Sequence, residues 1–136
     1  MRKPEQLAWV NMRREMSGLW VAQRHEDRFT CGIPDVSFVL PGGVGGWIEL
    51  KAGDRFKVSP EQIQWMLLRA RYGQCCILAA WDGRVWHASR VGEHNFDRLR
   101  VSDKCTDISE LGMSGSPAHV ILALANGSEI APSSVK

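Results

Sequence analysis

Hydrophobic and polar positions change their period several times along this chain, and each change marks an element. From about Pro4, the residues Glu5, Ala8, Trp9, Met12 and Met16 fall on one helical stripe, apolar except for Glu5. Proline is tolerated in the first turn, and Ser17-Gly18 closes the segment. Leu19 to Gln23 reads as a strand, followed by the dense polar stretch Arg24 to Arg28 and a turn at Cys31-Gly32. Two further strands, Asp35 to Leu40 and Gly46 to Ala52, are joined through Pro41-Gly42-Gly43-Val44-Gly45, a hairpin connection rich in glycine. It is no phosphate cradle, because no lysine-hydroxyl pair ends it and no helix opens from it.

Ser59-Pro60-Glu61-Gln62 starts a second helix, with an N-cap serine, a proline at the first position and a capping-box glutamine at the third. Ile63, Met66, Leu67 and Ala70 form its apolar face, and Gly73 closes it. Cys75 to Ala80 reads as a buried strand, and Asp82-Gly83 turns into another from Arg84 to Ala88. Beyond Val91 the pattern weakens, with a short helix near Glu93 to Leu99 and a strand from Ala118 to Leu124. These elements predict an α/β domain, a central mixed sheet flanked by helices.

At 136 residues one domain is expected, large enough for a core of its own. Hydrophobic residues at 44% and charged residues at 24% exclude a disordered or collagenous chain. No apolar run reaches the roughly 18 residues of a membrane helix, so no membrane partner is expected. Cys31, Cys75, Cys76 and Cys105 lack C-x-x-C spacing, which argues against a disulfide framework or zinc finger and for a reducing cytoplasm. Residues 1 to 100 carry 15 basic and 11 acidic groups, and residues 101 to 136 carry 2 and 4. A mildly basic body permits phosphate binding without demanding it.

The first hairpin carries the chemistry. Pairing Leu40 with Gly46, Phe38 with Ile48 and Val36 with Leu50 gathers the large apolar residues on one side. The same register sets Asp35 opposite Lys51 with Glu49 on the diagonal, about 7 to 8 Å away at the backbone. Two acidic groups beside a lysine form a hard oxygen site for Mg²⁺ or Mn²⁺, with an ammonium that can reach a phosphate or an attacking water. A plain surface ion pair of Lys51 with Asp35 or Glu49 is the competing reading.

Gly32-Ile33-Pro34-Asp35, a strand, a glycine-rich turn and Trp47-Ile48-Glu49-Leu50-Lys51 match the P-D…(D/E)-x-K signature. With the Ser-Pro-Glu-Gln helix start that follows, the chain resembles the PD-(D/E)XK nuclease superfamily and, within it, the VRR-NUC domain. The match spans roughly Pro4 to Trp86. The resemblance implies a restriction-endonuclease-like core over residues 4 to about 90, with residues 101 to 136 as a C-terminal extension of unknown role.

Carried over by position, it makes Asp35 and Glu49 metal ligands, with the Leu50 carbonyl as a third, and gives Lys51 the activation of water. Glu5 fits the place of a further glutamate on the first helix, with Glu26 and then Glu15 as rivals. Its alternative role is a first-turn acid that favours the helix dipole. Gln62 is either a site residue or a capping-box glutamine bonded back to Ser59. Arg24, His25, Arg28, Arg55 and Lys57 are candidate phosphate contacts. Of the six tryptophans, most are expected in the core, while Trp47 lies on the face of Glu49.

A Mg²⁺-dependent DNA endonuclease is therefore expected, selective for branched DNA such as Holliday junctions, and reading backbone shape more than sequence. The resemblance further implies a homodimer, and many stand-alone members are bacteriophage proteins, which would place it in the host cytoplasm. The alternatives are a flap- or end-processing replication or packaging nuclease, and a non-catalytic nucleic-acid-binding protein that keeps the fold.

Overall fold

The amphipathic stripe at the N-terminus becomes α1, Pro4–Glu15, which buries Ala8 and Met12 and, just past its end, Met16. The computed structural model describes residues 3–25, 32–99 and 105–126. One sheet contains β1 (Val21–Arg24), β2 (Val36–Val39), β3 (Gly45–Ala52), β5 (Cys75–Trp81), β6 (Trp86–Arg90) and β8 (Met113–Gly115), in the spatial order β1-β2-β3-β5-β6-β8. Neighbours are antiparallel except β3 and β5. These two run parallel because α2, Pro60–Arg71, returns the chain between them. A small ribbon pairs β4 (Arg55–Phe56) with β7 (Thr106–Asp107). The short α3 (Phe96–Leu99), a 3-10 turn at Ile108–Glu110 and α4 (Pro117–Ala125) complete the described elements.

Strand parity sorts the side chains into two cores. Cys75, Ile77 and Ala79 of β5 join Val36, Phe38, Ile48 and Leu50 in a cluster with Ala8 and Met12 of α1 and Val120, Ile121 and Leu124 of α4. Cys76, Leu78 and Ala80 join Ile63 and Met66 of α2 in the other. Covered on both faces, β5 reads as a continuous apolar run and not as an alternation. Trp47, Glu49 and Lys51 share the parity of the α2 face. Each fully buried Leu, Ile or Met contributes roughly 1.5–3 kcal/mol, so the helices are fixed on the sheet by these two layers.

The hairpin register differs from the expected one by two residues. Val36 pairs with Ile48, Phe38 with Gly46 and Val39 with Gly45. The turn decides this. The Gly43 amide donates to the Leu40 carbonyl at 3.0 Å, and Pro41 and Gly42 (φ +92°) take the central positions of a tight turn. The ladder therefore runs on to Leu40 and Val44, whose amide-carbonyl bond is 2.7 Å. A shift of two keeps every side chain on its face, so the apolar pattern could not distinguish the registers.

Three further expectations are corrected. Ala118 to Leu124 is helix, not strand: Ser116 caps α4 by accepting from the His119 amide, and Pro117 occupies the first turn. This repeats the Ser-Pro start of α2, while the uncharged run after it carries no period that separates a buried helix from a buried strand. The core also does not end near residue 90, because β8 extends the sheet and α4 buries Val120, Ile121 and Leu124 in it. The strand expected from Arg84 begins at Trp86, since Asp82 first binds the Arg84 and Val85 amides in the turn. Cys75, Cys76 and Cys105 are free thiols. Among the described residues, no helix is long and apolar enough to cross a membrane.

Candidate active site

Asp35 stands at the entrance to β2, in the chain that arrives through Gly32-Ile33-Pro34. Gly32 has φ +88°, and a Cβ there would lie 2.6 Å from the Glu61 carbonyl oxygen. Only glycine lets this loop press on the first turn of α2. One step beyond the Val36–Ile48 pair, the ladder sets Asp35 opposite Glu49. Its Oδ2 accepts from the Leu50 amide at 2.8 Å, which fixes the carboxylate beside β3.

Glu49 is 4% exposed, the one charged residue among the buried polar residues described. Its Oε2 accepts from the Gln62 amide nitrogen at 2.7 Å and lies 3.3 Å from the Lys51 Nζ. Lys51 also donates to Gln62 Oε1 at 3.3 Å. The same Oε1 accepts from the Ser59 amide at 3.0 Å, and the Gln62 amide donates to Ser59 Oγ at 3.1 Å. Ser59 N–H and the ammonium can only donate, so the carbonyl end of Gln62 must face them and its NH₂ must face Glu49. The two roles expected as alternatives for Gln62 are thus filled at once: it closes the capping box and binds the site.

Burial, then the neighbouring Asp35 charge, push the Glu49 carboxyl up to about 8, against the opposing pull of Lys51. Glu5 adds a smaller push in the same direction. Two carboxylates held together in a poorly solvated place repel each other, and a divalent cation relieves that repulsion. The donor set therefore fits a hard metal ion: two carboxylate groups, with the Leu50 carbonyl on the strand edge to which its amide already points.

No family model and no curated protein matches the sequence. Solved structures do match. Hjc, a Holliday junction resolvase from the archaeal hyperthermophile Archaeoglobus fulgidus, aligns over 86% of this chain and 96% of its own, at 18% identity and a TM-score of 0.58. A VRR_NUC domain aligns over 72% of this chain and 95% of its own, at 17% identity and a TM-score of 0.52. The fold is restriction-endonuclease-like.

Within the restriction-endonuclease-like core, the side chains of Asp35, Glu49, Lys51 and Gln62 come together at the β2–β3 edge and the start of α2. Glu5 lies exposed in the first turn of α1, near enough for its charge to act on Glu49. Among the described residues, no three His, Cys, Asp or Glu side chains converge as a metal cluster. Glu15 sits beside Arg14, at 3.7 Å, on the exposed helix surface. Glu26 and Arg28 lie outside the described residues.

The basic candidates disperse. Arg24 pairs with Val36 and so stands on the α1 face of the sheet, away from Glu49, with its Nε buried and without a hydrogen-bond partner. Arg55 donates to the Cys105 carbonyl at 3.1 Å on the β4–β7 ribbon, and Lys57 is exposed beyond it. Trp47 is where parity puts it, but its company was not anticipated. His25, bonded to Ser37 Oγ at 2.8 Å, lies 5.4 Å from Trp47 between ring centroids. Trp65 also meets Trp47, edge-to-face at 5.0 Å. Trp65 belongs to α2 and His25 to the end of β1, so no spacing within either segment signals the contact.

Proposed function

We propose that this protein is a divalent-metal-dependent DNA endonuclease acting on branched DNA such as Holliday junctions, with Mg²⁺ as the cofactor and Mn²⁺ as a substitute. The observation that carries the reading is a buried glutamate, Glu49, facing Asp35 and lying 3.3 Å from the Lys51 ammonium. Asp35, Glu49 and the Leu50 carbonyl would hold the metal, with Glu5, whose charge acts on Glu49, as a further candidate ligand. When bound, the ion supplies neutralisation of the scissile phosphate and a lowered pKa for the attacking water.

The chain's own groups do the rest. Lys51 sets a cation where negative charge develops during attack and can orient a water through its remaining N–H donors. Gln62 holds Lys51 and Glu49 in one geometry, and α2 holds Gln62. Asp35 keeps its orientation through the Leu50 amide. Arg28, Arg55 and Lys57 are candidate contacts to more distant phosphates, in keeping with a mildly basic body, whereas Arg24, on the opposite face of the sheet, is not. A chain of this size offers little surface for base readout, which favours recognition of DNA shape. The similarity in fold to a Holliday junction resolvase supports the branched substrate. A homodimer would supply the two sites needed for paired cuts, and the host cytoplasm is the setting for a phage-encoded copy.

The test compares turnover of a four-way junction and a linear duplex of the same sequence, in Mg²⁺, with Lys51→Ala as control. Junction cleavage that is lost in the variant and in chelator is expected. Equal cleavage of both substrates would remove the branched-DNA reading, and activity retained by Lys51→Ala would remove the assigned chemistry.

A further inference from the structure

Beside the carboxylates runs a row of flat side chains that the proposed chemistry does not use. Trp47 is two residues before Glu49 on the same strand and the same face, so the row begins roughly 7 Å along β3 from the acid. His25 and Trp65 both contact Trp47, at 5.4 and 5.0 Å between ring centroids. The Arg69 guanidinium carbon sits 3.6 Å from the centre of the Trp65 ring, and its NH1 donates to the Trp65 carbonyl at 3.4 Å. Trp47 and Trp65 pack against the core under α2 yet remain half-buried, unlike Trp86, which is fully enclosed. The row ends in an open recess of about 510 Å³ lined by Pro60, Glu61, Gln64, Trp65, Leu68 and Arg69. Leu68 is 45% exposed there, a large apolar side chain left in solvent.

We infer that this row is a stacking platform, and that the recess beside Trp65 and Arg69 seats an unpaired nucleobase of the DNA strand whose phosphate is cut. The inference rests on the nuclease reading and refines its substrate: DNA with at least one unstacked nucleotide next to the scissile position. Three features select a base over other occupants. Pro60, Trp65 and Leu68 give the recess an apolar side, with the Trp65 indole as a flat surface that suits a π-face. Arg69, laid on the Trp65 ring, extends that stack with its own planar surface and a positive charge that favours an anionic strand. Glu61 stands at the rim, where it repels a phosphate but not a neutral base. Continuity with Trp47 and Glu49 ties the seat to the reacting end of the strand.

The experiment measures binding by fluorescence anisotropy in EDTA, so that no cleavage occurs. The probes are a duplex with a three-nucleotide gap and the fully paired duplex. The wild-type protein is expected to prefer the gapped DNA. Trp65→Leu should weaken binding to it by roughly 5- to 100-fold, the worth of one stacked base, with Trp65→Phe recovering most of the loss. Leu68→Glu, on the exposed surface of α2, tests the same recess without touching the core and should also abolish the preference. Equal weakening on both DNAs by Leu68→Glu, or an unchanged preference in Leu68→Glu and Trp65→Leu, would overturn the inference. The two readings fail separately. Lys51-dependent cleavage with no effect of the recess variants removes only the platform, whereas a wild-type protein that neither binds nor cuts DNA removes the nuclease.

Discussion

The side-chain amide of Gln62 donates to Glu49 Oε2 at 2.7 Å while its carbonyl accepts from the Ser59 amide at the start of α2. A helix cap and a candidate catalytic acid therefore share one side chain, and the orientation of that side chain is set by the helix. Gln62→Leu removes both sets of bonds at similar size. Stability should fall by about 1–3 kcal/mol in a denaturant melt, and junction cleavage by more than tenfold. Ser59→Ala removes only the serine's part of the cap and should cost about 1 kcal/mol, with a smaller loss of activity. A Gln62→Leu enzyme as fast as the wild type would show that the linkage is structural only.

Burial and the Asp35 charge raise the Glu49 carboxyl from 4.5 to about 8, and the direction of the resulting pH effect is fixed. Between these two values the folded protein holds a proton that the unfolded chain has released. Stability in EDTA is therefore full below about pH 4.5 at this group and falls as pH rises through about 8. Thermal melts across this range should decline by several degrees, and Glu49→Gln should flatten that decline. Added Mg²⁺ should restore stability at the alkaline end. A flat profile in EDTA would contradict the buried environment described for Glu49.

Metal binding and chemistry should separate by residue. Calorimetry with Mg²⁺ is expected to lose its heat in Asp35→Ala and Glu49→Gln but to keep it in Lys51→Met, since the ammonium is no ligand. Cleavage should be lost in all three, by at least a hundredfold. Metal heat that survives Asp35→Ala would place the ion elsewhere.

Two glycines are held by backbone contacts and a third is not. A Cβ at Gly46 would lie 2.2 Å from the Cys75 carbonyl oxygen, inside the β3–β5 pairing. Gly46→Ala should cost about 3 kcal/mol or more. Gly32→Ala meets the Glu61 carbonyl at 2.6 Å with φ +88°, so it should lower both stability and cleavage by displacing the approach to Asp35. Gly42, at φ +92°, faces open space, and Gly42→Ala should cost only about 1–2 kcal/mol and leave cleavage intact. Chemical denaturation of the three variants orders them.

Local grammar carried the elements whose signals lie close together. Pro4 to Met16, the Ser59-Pro60 start and the apolar run from Cys75 each encode a helix or strand within a few residues, and each formed where expected. The hairpin register was legible only to within two residues, because face parity repeats every two and the turn's hydrogen bonds break the tie. Ala118 to Leu124 has no polar period that separates helix from strand, so only its Ser116-Pro117 cap marks it locally as a helix.

The order Asp35, Glu49, Lys51 and Gln62, with the strand, turn and helix between them, was determined by the amino-acid sequence alone, because covalent spacing and side-chain alternation act over a handful of residues. Which neighbour lies against the NH₂ of Gln62, which way Arg24 faces and how His25, Trp47 and Trp65 meet were decided only by tertiary structure. The ring contacts join residues 22 and 18 apart, where sheet pairing and the packing of α2, not the chain itself, set the distances.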